Sequence, residues 1–155
     1  MTETIHDPAT LTAIQDILDR SASTATPEVG AVFARDDWRL PAAEFLDLWK
    51  ENRWVVVSSV GAKGQPHSAV VHAGFEGTEL TMWVFEASVR AKDLESNPRV
   101  SLVKYSPEGA VMTVYGKASR IEGASRALNN AGGGGRTINQ YRIDVSRIYA
   151  MRPRS

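Results

Sequence analysis

With 155 residues, 43% of them hydrophobic, the chain has material for one domain with a true core, and the absence of cysteine excludes disulfides, thiolate metal sites and a thiol nucleophile. Lys+Arg and Asp+Glu balance at 18 each, but the balance is uneven along the chain. Residues 1–86 carry 6 basic against 13 acidic side chains (net −7) and residues 87–155 carry 12 against 5 (net +7), so the second half either packs against the first or invites an anionic ligand.

Asp7-Pro8 places an N-cap and a first-turn proline before Leu11, Ile14, Ile17 and Leu18, which predicts a helix to about Arg20. Residues 21–39 read as a connector. A second helix is expected from Leu40-Pro41, with Phe45, Leu48 and Trp49 on one side, to about Asn52. From Trp54 the hydrophobic period changes to that of strands. Strands are predicted at 54–60, 66–72, 79–85, 99–105, 110–121 and 141–150, with turns at Gly61–Gln65, Gly74–Gly77 and Ser106–Gly109. Pro66 stands at a strand start, and Gly116 marks a bulge. This pattern predicts a mainly β fold, a six-stranded antiparallel barrel with peripheral helices. Residues 1–53 are expected to form a helical extension packed on it, and residues 54–155 the barrel itself.

The most informative stretch runs from Glu86 to Leu102. Ser88 sits where an N-cap belongs, and a short helix follows until Asn97-Pro98 stops it. Such a start presents unpaired N–H groups and a partial positive charge. Arg90 and Lys92 add full charges nearby, and a phosphate group suits the combination.

Other conspicuous residues point less far. His67 and His72 are five apart on one strand, so they face opposite sides and cannot chelate one metal; none is expected. The run Gly132–Gly135 before Arg136 lacks the Lys-Ser/Thr of a phosphate loop and reads as a lid or linker. Of four tryptophans, Trp83 falls nearest the anion site. No Ser-His-Asp spacing or carboxylate pair suggests itself. No apolar run reaches bilayer length, the first residues lack a signal-peptide pattern, and no basic-aromatic motif for nucleic acid is visible. A cytoplasmic protein without membrane or nucleic-acid partners is expected.

Three pieces in order carry a resemblance. They are the strand-turn-strand Val56-Val-Ser-Ser-Val-Gly-Ala-Lys-Gly-Gln-Pro-His-Ser68, the block from Ser88 to Leu102, and Val114-Tyr-Gly-Lys-Ala-Ser-Arg-Ile121. Together they resemble the FMN-binding split β-barrel superfamily, whose namesake is pyridoxamine 5′-phosphate oxidase. The resemblance implies a Greek-key-like split barrel, a homodimer with cofactor at the interface, and hydride transfer between FMN, or the deazaflavin coenzyme F420, and a small organic substrate. It implies that Arg90 grips the cofactor phosphate beside Ser88 and Lys92, that Ser68, Ala69 and Val70 lie along the ring, and that Val84, Phe85, Glu86 and Ala87 meet the ribityl chain and phosphate. Ala69 and Val89 stand where the namesake carries basic residues, Val111 or a neighbour where it has a glutamine, and its substrate-binding C-terminal Arg and His have no counterpart, so its substrate is not implied. A non-catalytic flavin or heme carrier is the rival the same fold allows, and a barrel without cofactor is another.

Overall fold

Three helices precede the sheet in the computed structural model, which describes residues 5–33, 35–129 and 134–153: α1 (Pro8–Ser23), α2 (Pro27–Phe33) and α3 (Ala42–Glu51). Asp7 caps α1 by accepting from the Thr10 N–H at 3.1 Å. The helix runs a turn past Arg20 to a useful residue. Ser21 Oγ donates to the Ile17 carbonyl (2.6 Å) and accepts from the Ile148 N–H (3.0 Å), so a buried polar group ties the helix to the barrel. Residues 21–39 are not all connector, since α2 starts there at Pro27 with Glu28 in its first turn. Gly30 weakens the helical pattern enough to hide it.

The residue before α3, Pro41, has no capping side chain; Gln15 of α1 supplies the acceptor, to the Ala42 N–H at 2.9 Å. Phe45 and Trp49 are fully buried and meet Phe75 edge-on, with ring centroids 5.4–5.6 Å apart. At the other end of α3, the buried Lys104 ammonium donates to the carbonyls of Trp49 and Asn52. Burial holds its pKa down at about 8, although Glu51 pulls it up. Between that value and the ordinary 10.5 the unfolded chain binds more protons. The stability Lys104 contributes through titration is therefore present above the upper value and lost as pH falls through the lower one. Replacing Lys104 by Met orphans two carbonyls, at a cost of about 1–3 kcal/mol near neutrality. The variant also lags wild type further at pH 10 than at pH 7, and urea denaturation at both values measures the difference.

The strands are β1 (Trp54–Val60), β2 (Pro66–Glu76), β3 (Glu79–Phe85), β4 (Arg99–Tyr105), β5 (Val111–Leu128) and β6 (Arg136–Met151), with helix α4 (Val89–Ser96) between β3 and β4. All pairs are antiparallel, and the order β1-β2-β3-β6-β5-β4 closes with β4 on β1. Two three-strand meanders joined through α4 give the Greek-key character. Alternation along each strand sends Val57, Leu80, Met82, Leu102, Met112 and Ile148 into the core.

Three strands are longer than their apolar patterns. β2 reaches Glu76 because Gly74 pairs within the ladder opposite Thr81, and the turn falls at Gly77, whose φ is +60°. β5 continues from Ile121 to Leu128 and β6 begins at Arg136, five residues before the predicted start. Their outer parts pair from Ser125↔Asn139 to Leu128↔Arg136 as an arm, which β3 still flanks at Asn139 and Ile138. The register shifts at Tyr115/Gly116, where the bulge was expected. A side chain at Gly116 would strike the Asp144 carbonyl oxygen and lie 2.7 Å from Ile143 Cγ2, so only glycine fits. The Gly132–Gly133 part of the glycine run lies outside the described residues; Gly134 and Gly135 have φ of +55° and +73°. Among the described residues, no helix is long and apolar enough to cross a membrane.

One irregularity positions everything that follows. β2 and β3 pair only from Ala73↔Met82 to Glu76↔Glu79. Beyond that point β2 continues along β1 and β3 along β6. The two strands therefore diverge, and α4 follows β3 at the open end of the fork with Ala91 and Leu94 buried.

Candidate functional site

α4 begins as read. Ser88 Oγ accepts from the Ala91 N–H at 3.2 Å, and the Ser88 N–H closes a turn on the Phe85 carbonyl at 3.0 Å. What seats the helix is a residue with no role in the sequence reading. Asp93 is 4% exposed, and its Oδ2 accepts from Ser59 Oγ at 2.7 Å while lying 2.8 Å from His67 Nδ1. Burial alone would raise its pKa, but the bonds to Ser59 and His67 and the nearby charge of Arg90 bring it below the ordinary carboxylate value. His67 thus points toward α4 while His72 lies on the outer face of β2, its ring 3.8 Å from that of Trp54. Among the described residues no cluster of His, Cys, Asp or Glu could hold a metal ion.

The fork between β2 and β3 holds a groove of about 860 Å³. Val70 and His72 line it from the β2 side, Trp83, Val84 and Phe85 from the β3 side, and Ser88 and Arg90 form one end. Arg90 Nε is buried there without a hydrogen-bond partner among the described residues. Burial lowers the pKa of the guanidinium, Asp93 raises it, and the group stays charged at neutral pH. A buried donor without an acceptor costs free energy that an incoming oxyanion would recover.

The structure brings together five of the ten residues read as candidates: Val70, Val84, Phe85, Ser88 and Arg90. The other five lie outside the groove lining. Ser68 faces outward opposite Ser58, with 3.1 Å between their hydroxyls, and Ala69 points to the other face of β2 opposite Val57. Glu86 and Ala87 are exposed in the turn, Glu86 3.9 Å from Arg120, and Lys92 is exposed on α4. Trp83 does line the groove. The sequence reading missed Arg126, Leu128 and Ile138, which line it from the arm. The arm was not recognised as paired strand, and the apolar positions at 128 and 138 were its only signal.

The sequence profile of pyridoxamine 5′-phosphate oxidase matches residues 42–147. Among curated proteins no sequence matches the chain. Similar solved structures include a conserved hypothetical protein from Mycobacterium tuberculosis (TM-score 0.61, 20% identity, covering 76% of this chain and 88% of that one). HutZ, a heme storage protein from Vibrio cholerae, is similar with a TM-score of 0.55 at 14% identity over 70% of this chain and 92% of its own. An F420 reductase gives a TM-score of 0.51 at 14% identity over 63% and 90% respectively. At such identities the likeness speaks for the fold alone. With its closed six-strand barrel, its forked β2–β3 seam and a profile match over most of its length, the chain belongs to the pyridoxamine 5′-phosphate oxidase family of split β-barrels.

Proposed function

We propose that the protein is a homodimeric oxidoreductase that uses FMN or the deazaflavin F420 to move a hydride to or from a small organic substrate. The observation that carries this reading is Arg90, whose buried and unpartnered Nε stands at the end of an apolar groove beside the start of α4. An aromatic ring with a phosphate-bearing tail matches both ends. Ser88 keeps the helix start formed, Arg90 holds the phosphate, and Val70, Trp83 and Val84 offer the ring a dry wall. The bound ring would supply the hydride chemistry, while these residues orient it and exclude water. Titrating the metal-free apoprotein with FMN and F420 in turn, followed by turnover with reduced cofactor, tests the reading. No binding of either refutes it.

The outer sheet supports the dimer. Trp54, Val56, Val70, Val103, Tyr105 and Tyr115 are exposed on neighbouring strands, and Val56 pairs with both Val70 and Val103. This apolar face adjoins the groove through Trp54 and Val70. A second copy across it would wall off both grooves. Val56→Arg is accordingly expected to convert dimer to monomer in sedimentation velocity, and an unchanged dimer would exclude this face.

A second reading has one observation of its own. His72 lines the groove beside Trp54, and a ring nitrogen there could ligate a heme iron. A Soret band in purified protein, lost in His72→Ala, would favour a heme carrier instead.

A further inference from the structure

Four arginines besides Arg90 and Arg126 crowd this side of the barrel: Arg53 lines the groove just before β1, and the partners of the other three divide them. Arg142 Nε is 3.1 Å from Glu79, and Arg120 lies 3.9 Å from Glu86 and bonds Asn139 at 3.1 Å. Those pairs join an acid of the first half of the chain to a base of the second and so offset two of the seven excess charges on each side. Farther out, on the arm, the pairing stops. Arg126 and Arg136 have no carboxylate within ion-pair distance among the described residues.

Register shows where these two stand. Phe85, Ile138 and Arg126 are opposed in one row across β3, β6 and β5, and directly opposed residues share a face of the sheet. Leu128 and Arg136 form the next pair outward on that face, two positions on. Arg126 lines the groove, and the Arg136 guanidinium lies over the Phe85 ring at 5.8 Å. Both are therefore at the same end of the groove as Ser88 and Arg90. The one carboxylate in the groove lining, Glu76, comes from the end of β2, where β2 and β3 still pair.

We infer that the arm is a second anion-binding element, and that the ligand carries negative charge beyond the phosphate held by Arg90, along Arg126 and Arg136. A phosphate monoester such as FMN ends at Arg90 and leaves the arm's charges unused. A coenzyme whose chain continues as a phosphodiester with carboxylates, as in F420, or through a second phosphate, as in FAD, uses them. The inference rests on the cofactor reading above and selects among its candidates.

The test is titration of wild type and of Arg126→Gln and Arg136→Gln with FMN, F420 and FAD, with Arg90→Ala in parallel. Both arm residues are exposed, and circular dichroism confirms that the variants fold. The expected result is that wild type binds an extended coenzyme more tightly than FMN. Arg126→Gln should then weaken that coenzyme by roughly ten-fold or more while FMN changes less than about two-fold, and Arg126→Lys should restore part of the loss. The extended coenzyme should also show the steeper salt dependence. Equal losses for FMN and the extended coenzymes would put Arg126 on the first phosphate and overturn the inference. No loss for any of them, while Arg90→Ala still weakens binding, would overturn it and leave the cofactor reading standing. Wild type that binds none of the three would refute the cofactor reading itself.

Discussion

Arg90→Ala is expected to weaken cofactor binding by about 1.5–3 kcal/mol, roughly ten- to a hundred-and-fifty-fold, the range for hydrogen bonds to a charged group. The loss should be specific to the phosphate. Arg90 stands at the helix end of the groove, whereas the ring wall is built from β2 and β3. Riboflavin, which lacks the phosphate, should therefore bind wild type and variant about equally, while FMN or F420 should distinguish them. Folding stability should change little, because the variant removes a buried Nε without a partner among the described residues but also the positive charge that favours ionised Asp93. Isothermal titration with the two ligand types, beside urea denaturation of the apoprotein, separates these effects. An unchanged FMN affinity would remove Arg90 from the site.

Asp93→Ala should have the largest effect on stability, about 3–5 kcal/mol, because it strips the partner from a buried charged cluster. Ser59 and His67 lose their shared acceptor, and Arg90 loses the nearest opposite charge. Asp93 is also what seats α4 in the fork, so cofactor affinity should fall although no groove-lining residue has changed. Asp93→Asn keeps the shape and one acceptor and should cost less, about 1–3 kcal/mol.

The pH dependence follows from the same group. Its folded pKa lies below the ordinary 3.8, so the stability it adds is fully present above that value and is lost as pH falls through the folded pKa. Acid unfolding of Asp93→Asn should consequently be shallower than that of wild type in this window. A stability profile that superposes on wild type below pH 4 would refute the role assigned to this carboxylate.

Much of the fold was legible before any coordinates because its signals are local. Asp7, Ser88 and Pro66 mark element starts through hydrogen bonds and backbone restriction that need only neighbours in sequence. Gly116 was readable as a bulge because a glycine inside an apolar strand pattern is itself the signal, although what demands it there is the approach of Asp144 and Ile143 from β6. The lengths of β5 and β6 were not legible. Past Ile121 the arm is polar and exposed, and what holds it as strand is the ladder between two segments, not a buried face. Asp93 was missed likewise: an acid in a short polar helix looks solvated until β1 and β2 bring Ser59 and His67 to it.

The residues by themselves therefore determined the barrel class, the capped start of α4 and the presence of Arg90 there, since each depends on periodicity or on a few adjacent positions. Only the tertiary structure decided which candidates meet. The divergence of β2 from β3 creates the groove, leaves Ser68 beyond its lining although it shares a face with Val70, turns Ala69 to the other face, and brings Arg126 to it from an arm far along the chain. Side chains alternate across a strand with a period of two, and strand pairing joins residues distant in sequence, so which of them face one cavity is a property of the register and not of the order of the letters.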